Sequence, residues 1–158
     1  MKWTDFIIPI IFIWLFQLLI ADFLTIGTIR PDFPLILILY FSVRYGRSIG
    51  VISGFFLGFI VDLSGTAIFF GLLPMTYSLT GYLAGNLKGL FKKMSPISYA
   101  FCWALIITIQ FFIFCLIQYQ DLWAFNKGVF LGKWFGTTIY TLSFITLLQF
   151  ISPMHKNE

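Results

Sequence analysis

Charged side chains are scarce in this sequence. Lys and Arg contribute 10 residues and Asp and Glu 6, so only 10% of the 158 residues are charged, whereas 59% are apolar. Soluble proteins carry charge on about a quarter of their residues, because a charged surface keeps them dissolved. The shortage of charge therefore excludes an ordinary soluble domain and favours a chain that is embedded in the bilayer.

Residue types that carry most catalytic and metal-binding chemistry are also rare. There is one histidine, His155, and the two cysteines, Cys102 and Cys115, lie 13 residues apart in one apolar run. Thirteen residues of helix span about 20 Å, which is beyond disulfide reach. No His, Cys and carboxylate cluster has metal-ligand spacing, and no phosphate-binding glycine loop occurs. We therefore predict no catalytic residues, no metal, no cofactor and no enzymatic activity.

Apolar residues form six runs, near residues 6–26, 33–43, 48–64, 67–87, 97–119 and 134–151. A straight span needs about 20 residues, so the run at 33–43 is too short unless the bilayer thins, flanking residues extend the span, or the segment re-enters. The first run lacks a small-residue cleavage site and is interpreted as a retained helix. We predict an all-α fold over residues 1–158, a single transmembrane domain with about six transmembrane helices in one compact bundle. Pro74 is expected to kink the fourth helix.

Positive charge predicts the orientation, because Lys and Arg are retained on the cytoplasmic side. Six spans with both termini inside divide the basic residues seven to three. The seven inside are Lys2, Arg44, Arg47, Lys88, Lys92, Lys93 and Lys156. If the short run fails to cross, Lys2 and Arg30 exchange sides and the balance is unchanged. We predict a multi-pass membrane protein with cytoplasmic N- and C-termini.

Glycine recurs at every fourth position in three rows. The rows are Gly46, Gly50, Gly54 and Gly58 with Asp62 next in step, then Gly81, Gly85 and Gly89, then Gly128, Gly132 and Gly136. Lipid tails are as apolar as leucine, so membrane helices associate through close contact at small residues. We predict that the third, fourth and sixth helices form a tight centre, or that one row receives a helix from another protein. The packing or partner candidates are Gly50, Gly54, Gly58, Asp62, Gly81, Gly85, Gly132 and Gly136.

Few polar residues interrupt the runs. Asp62 lies near the outer end of the third run, and a carboxylate at the bilayer centre costs about 2.5–3.5 kcal/mol. Two interpretations stay open for Asp62: it caps a helix end or pairs with Arg30, or it contacts a partner or small ligand. Arg30, Pro31 and Asp32 precede the second run, where Asp32 suits a helix N-cap. An exposed recognition loop is the alternative for these three residues.

Residues 30–91, RPDFPLILILYFSVRYGRSIGVISGFFLGFIVDLSGTAIFFGLLPMTYSLTGYLAGNLKGLF, resemble the MreD family of bacterial rod shape-determining proteins. The features in common are Arg30, Pro31 and Asp32, then Gly54, Gly58 and Asp62, then Gly71, and finally Tyr82, Leu83 and Gly85. The resemblance implies a fold similar to the six-helix S components of energy-coupling-factor transporters.

The same resemblance implies a non-enzymatic inner-membrane subunit of the elongation (rod) complex, which organises lateral peptidoglycan synthesis and cell shape. The implied partners are the transmembrane helix of MreC, RodA, a class B penicillin-binding transpeptidase and MreB. Apart from the resemblance, Lys88, Lys92 and Lys93 suit the headgroups of anionic membrane lipids or an acidic cytoplasmic partner. No nucleic-acid partner is predicted.

The fold similarity also supplies an alternative function, the substrate-binding S component of a vitamin transporter. Such a subunit needs a ligand cavity with several converging polar groups. The outer halves of the runs offer few polar groups beyond Asp22, Asp62, Thr66 and Thr76. The sequence therefore favours the scaffold subunit over the transporter subunit.

Overall fold

A computed structural model describes residues 4–20, 23–25, 27, 29–65 and 69–151. Every regular element in these ranges is an α-helix, which confirms the all-α class. The helices are α1 (Thr4–Ile20), α2 (Phe33–Tyr45), α3 (Arg47–Leu63), α4 (Leu72–Gly85), α5 (Pro96–Gln118), α6 (Gln120–Phe125) and α7 (Lys127–Ile151). Among the residues discussed above, Lys2, Asp22, Thr66, His155 and Lys156 lie outside the described residues.

The helices agree with a membrane helical bundle. Within the described ranges, α5 is the helix that is both long and apolar enough to cross a bilayer, with 23 residues. The second run forms α2, which has 13 residues. Two residues favour a helix start here, Asp32 as the N-cap and Pro34 in the first turn. Six transmembrane spans therefore stay a prediction.

The last helix begins earlier than its apolar run indicates. We expected a helix near residues 134–151, whereas α7 begins at Lys127 and the short α6 precedes it. Two lysines precede the apolar run, and both contact aromatic rings: Lys127 Nζ lies 5.7 Å from the ring centroid of Trp123, and Lys133 Nζ lies 4.4 Å from that of Tyr119. These cation–π contacts let α7 continue through charged positions that an apolar pattern excludes.

The predicted kink at Pro74 is wrong, because α4 begins at Leu72 and Pro74 lies in its first turn. The first amides of a helix have no intrahelical acceptor, so proline removes no hydrogen bond there. The chain turns into α4 through Gly71, whose φ of 94° is in the left-handed region that favours glycine.

Helices α3 and α4 touch backbone to backbone along two glycine rows. A Cβ placed on Gly54 would lie 2.5 Å from the carbonyl oxygen of Tyr77, and one on Gly58 would lie 2.5 Å from the backbone nitrogen of Pro74. At the other end of the pair, a Cβ on Gly50 would lie 2.5 Å from the Gly81 carbonyl oxygen. Only glycine leaves room for such an approach.

The third glycine row does not join this centre, which corrects the prediction for the sixth helix. In the described residues α7 contacts α2, α5 and α6, and has no contact with α3 or α4. The third member of the centre is α2, whose apolar residues Leu35, Ile38 and Leu39 are fully buried. Because α2 is apolar on all sides, its sequence shows no periodic face, and a short buried helix of this kind has no glycine row to identify it.

Candidate functional site

A cluster of hydrogen-bonded polar side chains lies where α2 begins. The Asp32 side chain occupies the N-cap position of α2, and its Oδ1 accepts a hydrogen bond of 3.0 Å from the Leu35 amide. The hydroxyl of Tyr77 lies 2.7 Å from both carboxylate oxygens and donates to this carboxylate. Tyr77 is only 2% exposed and Asp32 is half-buried, so Asp32 joins the start of α2 to the middle of α4 through a partly buried hydrogen bond.

Gln17 of α1 holds the same segment from the other side. Its Nε2 donates to the Pro31 carbonyl oxygen at 3.2 Å, and its Oε1 accepts from the Phe33 amide at 3.1 Å. The Gln17 side chain therefore hydrogen-bonds the backbone both before and after Asp32, to an acceptor at Pro31 and a donor at Phe33. The sequence reasoning missed Gln17, although a lone glutamine within an apolar run is a signal of a specific hydrogen bond in a membrane helix.

Asp62 lies at the far end of α3 and contacts the start of α4. It is 5% exposed, and its Oδ2 accepts a hydrogen bond of 2.6 Å from the Gly71 amide. Gly71 is the N-cap residue of α4, so the carboxylate lies at the positive end of that helix dipole. Of the roles that the sequence left open for Asp62, this geometry corresponds to a helix cap, in which a side chain of α3 caps the start of α4.

A cavity of about 350 Å³ opens beside the start of α2. It is lined by Trp14, Gln17, Leu18, Arg30, Val61, Ser64 and Gly65. The indole of Trp14 donates to Ser64 Oγ at 3.2 Å, and this hydroxyl donates to the Ile60 carbonyl oxygen at 3.2 Å. These bonds hold α1 against the end of α3, with the exposed Arg30 between them.

Asp62 and Thr76, two of the polar residues expected to line a transporter cavity, do not line this one. Asp62 binds Gly71, and Thr76, which is 1% exposed, donates to the Leu72 carbonyl oxygen of its own helix at 3.1 Å. Asp22 and Thr66 lie outside the described residues. Across the part of the chain that the structure describes, no three His, Cys, Asp or Glu residues are grouped so that they could hold a metal ion.

The arrangement of α2, α3 and α4 brings together the residues that carry the family resemblance. A comparison with known families matches residues 1–156 to the family described as rod shape-determining protein MreD. The chain belongs to the MreD family. The match extends the resemblance seen at residues 30–91 to nearly the whole chain and assigns the protein to a family of membrane proteins that determine cell shape.

No curated protein and no solved structure matches the chain. The similarity to transporter S components is therefore without support from a known structure, and the transporter alternative is not supported. MreD is a family of shape-determining proteins and is not known as an enzyme family.

The residues that carry the resemblance have defined places in the fold. Arg30 and Pro31 lie just before α2 and Asp32 is its N-cap, while Gly54 and Gly58 lie in the contact between α3 and α4. A Cβ on Gly85 would lie 2.5 Å from Arg47 Cα, so Gly85 belongs to the same helix contact. Beside it, the guanidinium of Arg47 lies 5.8 Å from the ring centroid of Tyr82. These residues therefore lie in one three-helix unit, with a polar cluster at one end and basic residues at the other.

The three glycines of the third row, Gly128, Gly132 and Gly136, differ in how closely other atoms pack against them. Gly136 packs against the side chain of Ile29, whereas a Cβ on Gly132 would have nothing within 4 Å. Gly128 is also open, with Asn126 Oδ1 at 3.6 Å as the one neighbour of its Cβ position. Gly128 and Gly132 are exposed, so this part of α7 presents bare backbone at the surface of the bundle.

Proposed function

We propose that this MreD-family chain is a non-enzymatic, multi-pass subunit of the bacterial elongation complex in the inner membrane. It binds the transmembrane helix of MreC and helps to organise lateral peptidoglycan synthesis with RodA, a class B penicillin-binding transpeptidase and MreB. Six spans with both termini in the cytoplasm are part of this proposal. The observation that carries it is the family match over residues 1–156.

The glycine rows of α3 and α4 are occupied within the chain, so a partner helix needs another surface. Gly54 and Gly58 lie against the backbone of α4, and no second helix can approach them without separating that pair. The exposed glycines of α7, Gly128 and Gly132, are the remaining row with open space at its surface. We therefore place the MreC helix on α7.

The surroundings of Gly132 support this placement. Four large apolar side chains of α7 are between 40% and 60% exposed, namely Val129, Leu131, Phe135 and Ile139. Residues three and four positions apart share one helix face, so Gly128 and Gly132 form a shallow groove that continues to Phe135 and Ile139. Small residues flanked by larger ones allow close van der Waals contact between membrane helices.

Copurification of MreC in mild detergent tests the interface. Gly132→Leu fills the groove, and we expect it to lower MreC recovery about tenfold, which corresponds to about 1.4 kcal/mol of binding free energy. Leucine is a better helix former than glycine, so α7 itself is not weakened. Ser48→Leu places the same side chain at an exposed small residue of α3 and is the matched control.

Two results would contradict the proposal at different levels. Undiminished MreC recovery with Gly132→Leu, at a normal level of folded protein, rejects the α7 surface. Failure of the wild-type chain to recover MreC from a cell that contains both proteins rejects MreC as the partner.

A further inference from the structure

Basic side chains are grouped at the end of the bundle where α2 ends and α3 begins. Arg47 is the first residue of α3, and Lys88, Lys92 and Lys93 lie in the segment between α4 and α5. All four side chains are exposed. These four residues form the basic surface, which neither helix packing nor MreC binding explains.

The two chain segments that carry the basic surface are in contact. Lys88 Nζ donates to the Tyr45 carbonyl oxygen at 3.2 Å, and a Cβ on Gly46 would lie 3.4 Å from Lys88 Cδ. A Cβ on Gly85 would lie 2.5 Å from Arg47 Cα. The turn between α2 and α3 therefore packs against the end of α4, which brings Arg47 and Lys88 to one surface.

Tight turns keep the other two lysines near Lys88. The Leu90 amide donates to the Leu87 carbonyl oxygen at 3.1 Å, and the Lys93 amide donates to the Leu90 carbonyl oxygen at 2.9 Å. The segment is therefore compact, and Lys92 and Lys93 extend the basic surface from α4 to the start of α5.

The contacts of these residues leave the surface positively charged. Lys88 contacts a carbonyl oxygen and Arg47 lies 5.8 Å from the ring centroid of Tyr82, and both of these partners are neutral. The carboxylates whose side chains the structure describes lie elsewhere, at the start of α2, at the end of α3 and on α6: Asp32, Asp62 and Asp121.

The charged residues whose side chains are not described cannot reverse this sign. Two of them are basic and three acidic: Lys2, Lys156, Asp5, Asp22 and Glu158. Even if all five lay at this end of the bundle, their net charge of −1 would leave an excess of three positive charges on the four residues of the basic surface.

An apolar face of α5 begins beside the basic surface. Ile97, Phe101 and Leu105 are 83%, 68% and 48% exposed. Residues four positions apart share one helix face, so this face runs from the first turn of α5 toward its middle. A phospholipid has its parts in the same order, a charged headgroup and then acyl chains. A water-soluble acidic protein would match the charges alone.

We propose that the basic surface binds the headgroup of an anionic phospholipid, whose acyl chains lie along Ile97, Phe101 and Leu105. Lysine and arginine beside a membrane are attracted to anionic headgroups. The bound lipid bridges the unit of α2, α3 and α4 to α5. Its site shares no residue with the groove at Gly128 and Gly132, so lipid binding and MreC binding can succeed or fail separately.

Native mass spectrometry of the purified full-length chain in detergent, titrated with phosphatidylglycerol, measures the affinity. Each lysine near an anionic headgroup contributes about fivefold, so we expect the double variant Lys92→Gln with Lys93→Gln to bind about 25-fold more weakly. The variant Lys92→Arg with Lys93→Arg keeps both charges and should bind as the wild type does. Lys127→Gln with Lys133→Gln removes two charges at the start of α7 and should also leave the affinity unchanged.

The path of the acyl chains is measured with phosphatidylglycerol that carries a photoreactive group on one chain. We expect the label on residues 97–105, and we expect it to be lost in the variant Lys92→Gln with Lys93→Gln. Label that depends on the two lysines but lies only on other helices would overturn the contact with α5.

Three further outcomes would overturn the proposal. Equal affinity of the two glutamine variants would show that the basic surface does not bind the lipid. Glycerol phosphate binding as tightly as phosphatidylglycerol would identify a soluble phosphate compound as the ligand. Hexaglutamate binding as tightly, with the same dependence on Lys92 and Lys93, would identify an acidic protein as the partner. Equal gel-filtration profiles establish that all variants are folded.

Discussion

Substitution of Gly54 tests the contact between α3 and α4. Gly54→Ala adds one methyl group and is the smallest substitution that perturbs this contact. The added Cβ would lie 2.5 Å from the Tyr77 carbonyl oxygen, where ordinary contact begins at 3.4 Å. The shortfall, 3.4 Å minus 2.5 Å, is about 0.9 Å, and the atoms that must move are backbone atoms of α4. Overpacking of this kind costs about 1–3 kcal/mol. Alanine returns at most about 1 kcal/mol through its higher helix propensity.

The expected result is a net loss of folding free energy of up to about 2 kcal/mol, and more for Gly54→Leu. Gly132→Ala is the matched control, because its Cβ would have nothing within 4 Å. This control should be neutral or stabilising by up to about 1 kcal/mol. Thermal unfolding in detergent, followed by size-exclusion chromatography, measures both variants. At about 2–4 °C per kcal/mol for a chain of this size, the two melting temperatures should differ by several degrees.

An equal or higher melting temperature for Gly54→Ala than for the wild type would refute the close approach of α3 and α4. Equal shifts for Gly54→Ala and Gly132→Ala would contradict the difference between the two glycine rows. Both results can be read from the order of the melting temperatures, and neither depends on the absolute free energies.

Two further substitutions test the polar contacts. Tyr77→Phe removes the donor to the half-buried Asp32 carboxylate and should destabilise the protein by about 1–3 kcal/mol. Tyr40→Phe should be neutral or stabilising, because the Tyr40 hydroxyl is buried without a hydrogen-bond partner. Thermal unfolding of the two variants measures the difference, and equal stability would contradict it. Asp62→Asn keeps an oxygen that can accept from Gly71, so a role as helix cap predicts that it still restores rod shape to a depleted strain. Loss of rod shape at a normal protein level would instead assign Asp62 a contact outside the chain.

The four-residue glycine spacing was sufficient to predict that α3 and α4 contain close-packing faces. It was not sufficient to predict which helices meet, because periodicity defines the residues on one face and not the neighbour that this face contacts. Gly132 has the same spacing as Gly54, yet one is open and the other lies against backbone. The difference depends on where α2 and α5 place α7, and that information is distributed over the whole chain.

The polar cluster shows the same division between local and distant signals. The N-cap position of Asp32 follows from its place before an apolar run with a proline at its start, which is a local signal. Its bond to Tyr77 joins residues 45 positions apart, and no spacing rule predicts such a pair. The cavity at Arg30 likewise depends on two helices and the segment before α2, so the sequence identified Arg30 as a candidate without indicating its surroundings.

The burial of α2 has a consequence for how the chain is assembled in the membrane. Nine of its 13 residues are buried within the protein. Little of the α2 surface is therefore exposed, although its apolar composition would also suit a helix surrounded by lipid. Much of this burial comes from α3 and α4, which the ribosome delivers later. The surface of α2 therefore reaches its final buried state only after α3 and α4 have been synthesised and have packed against it.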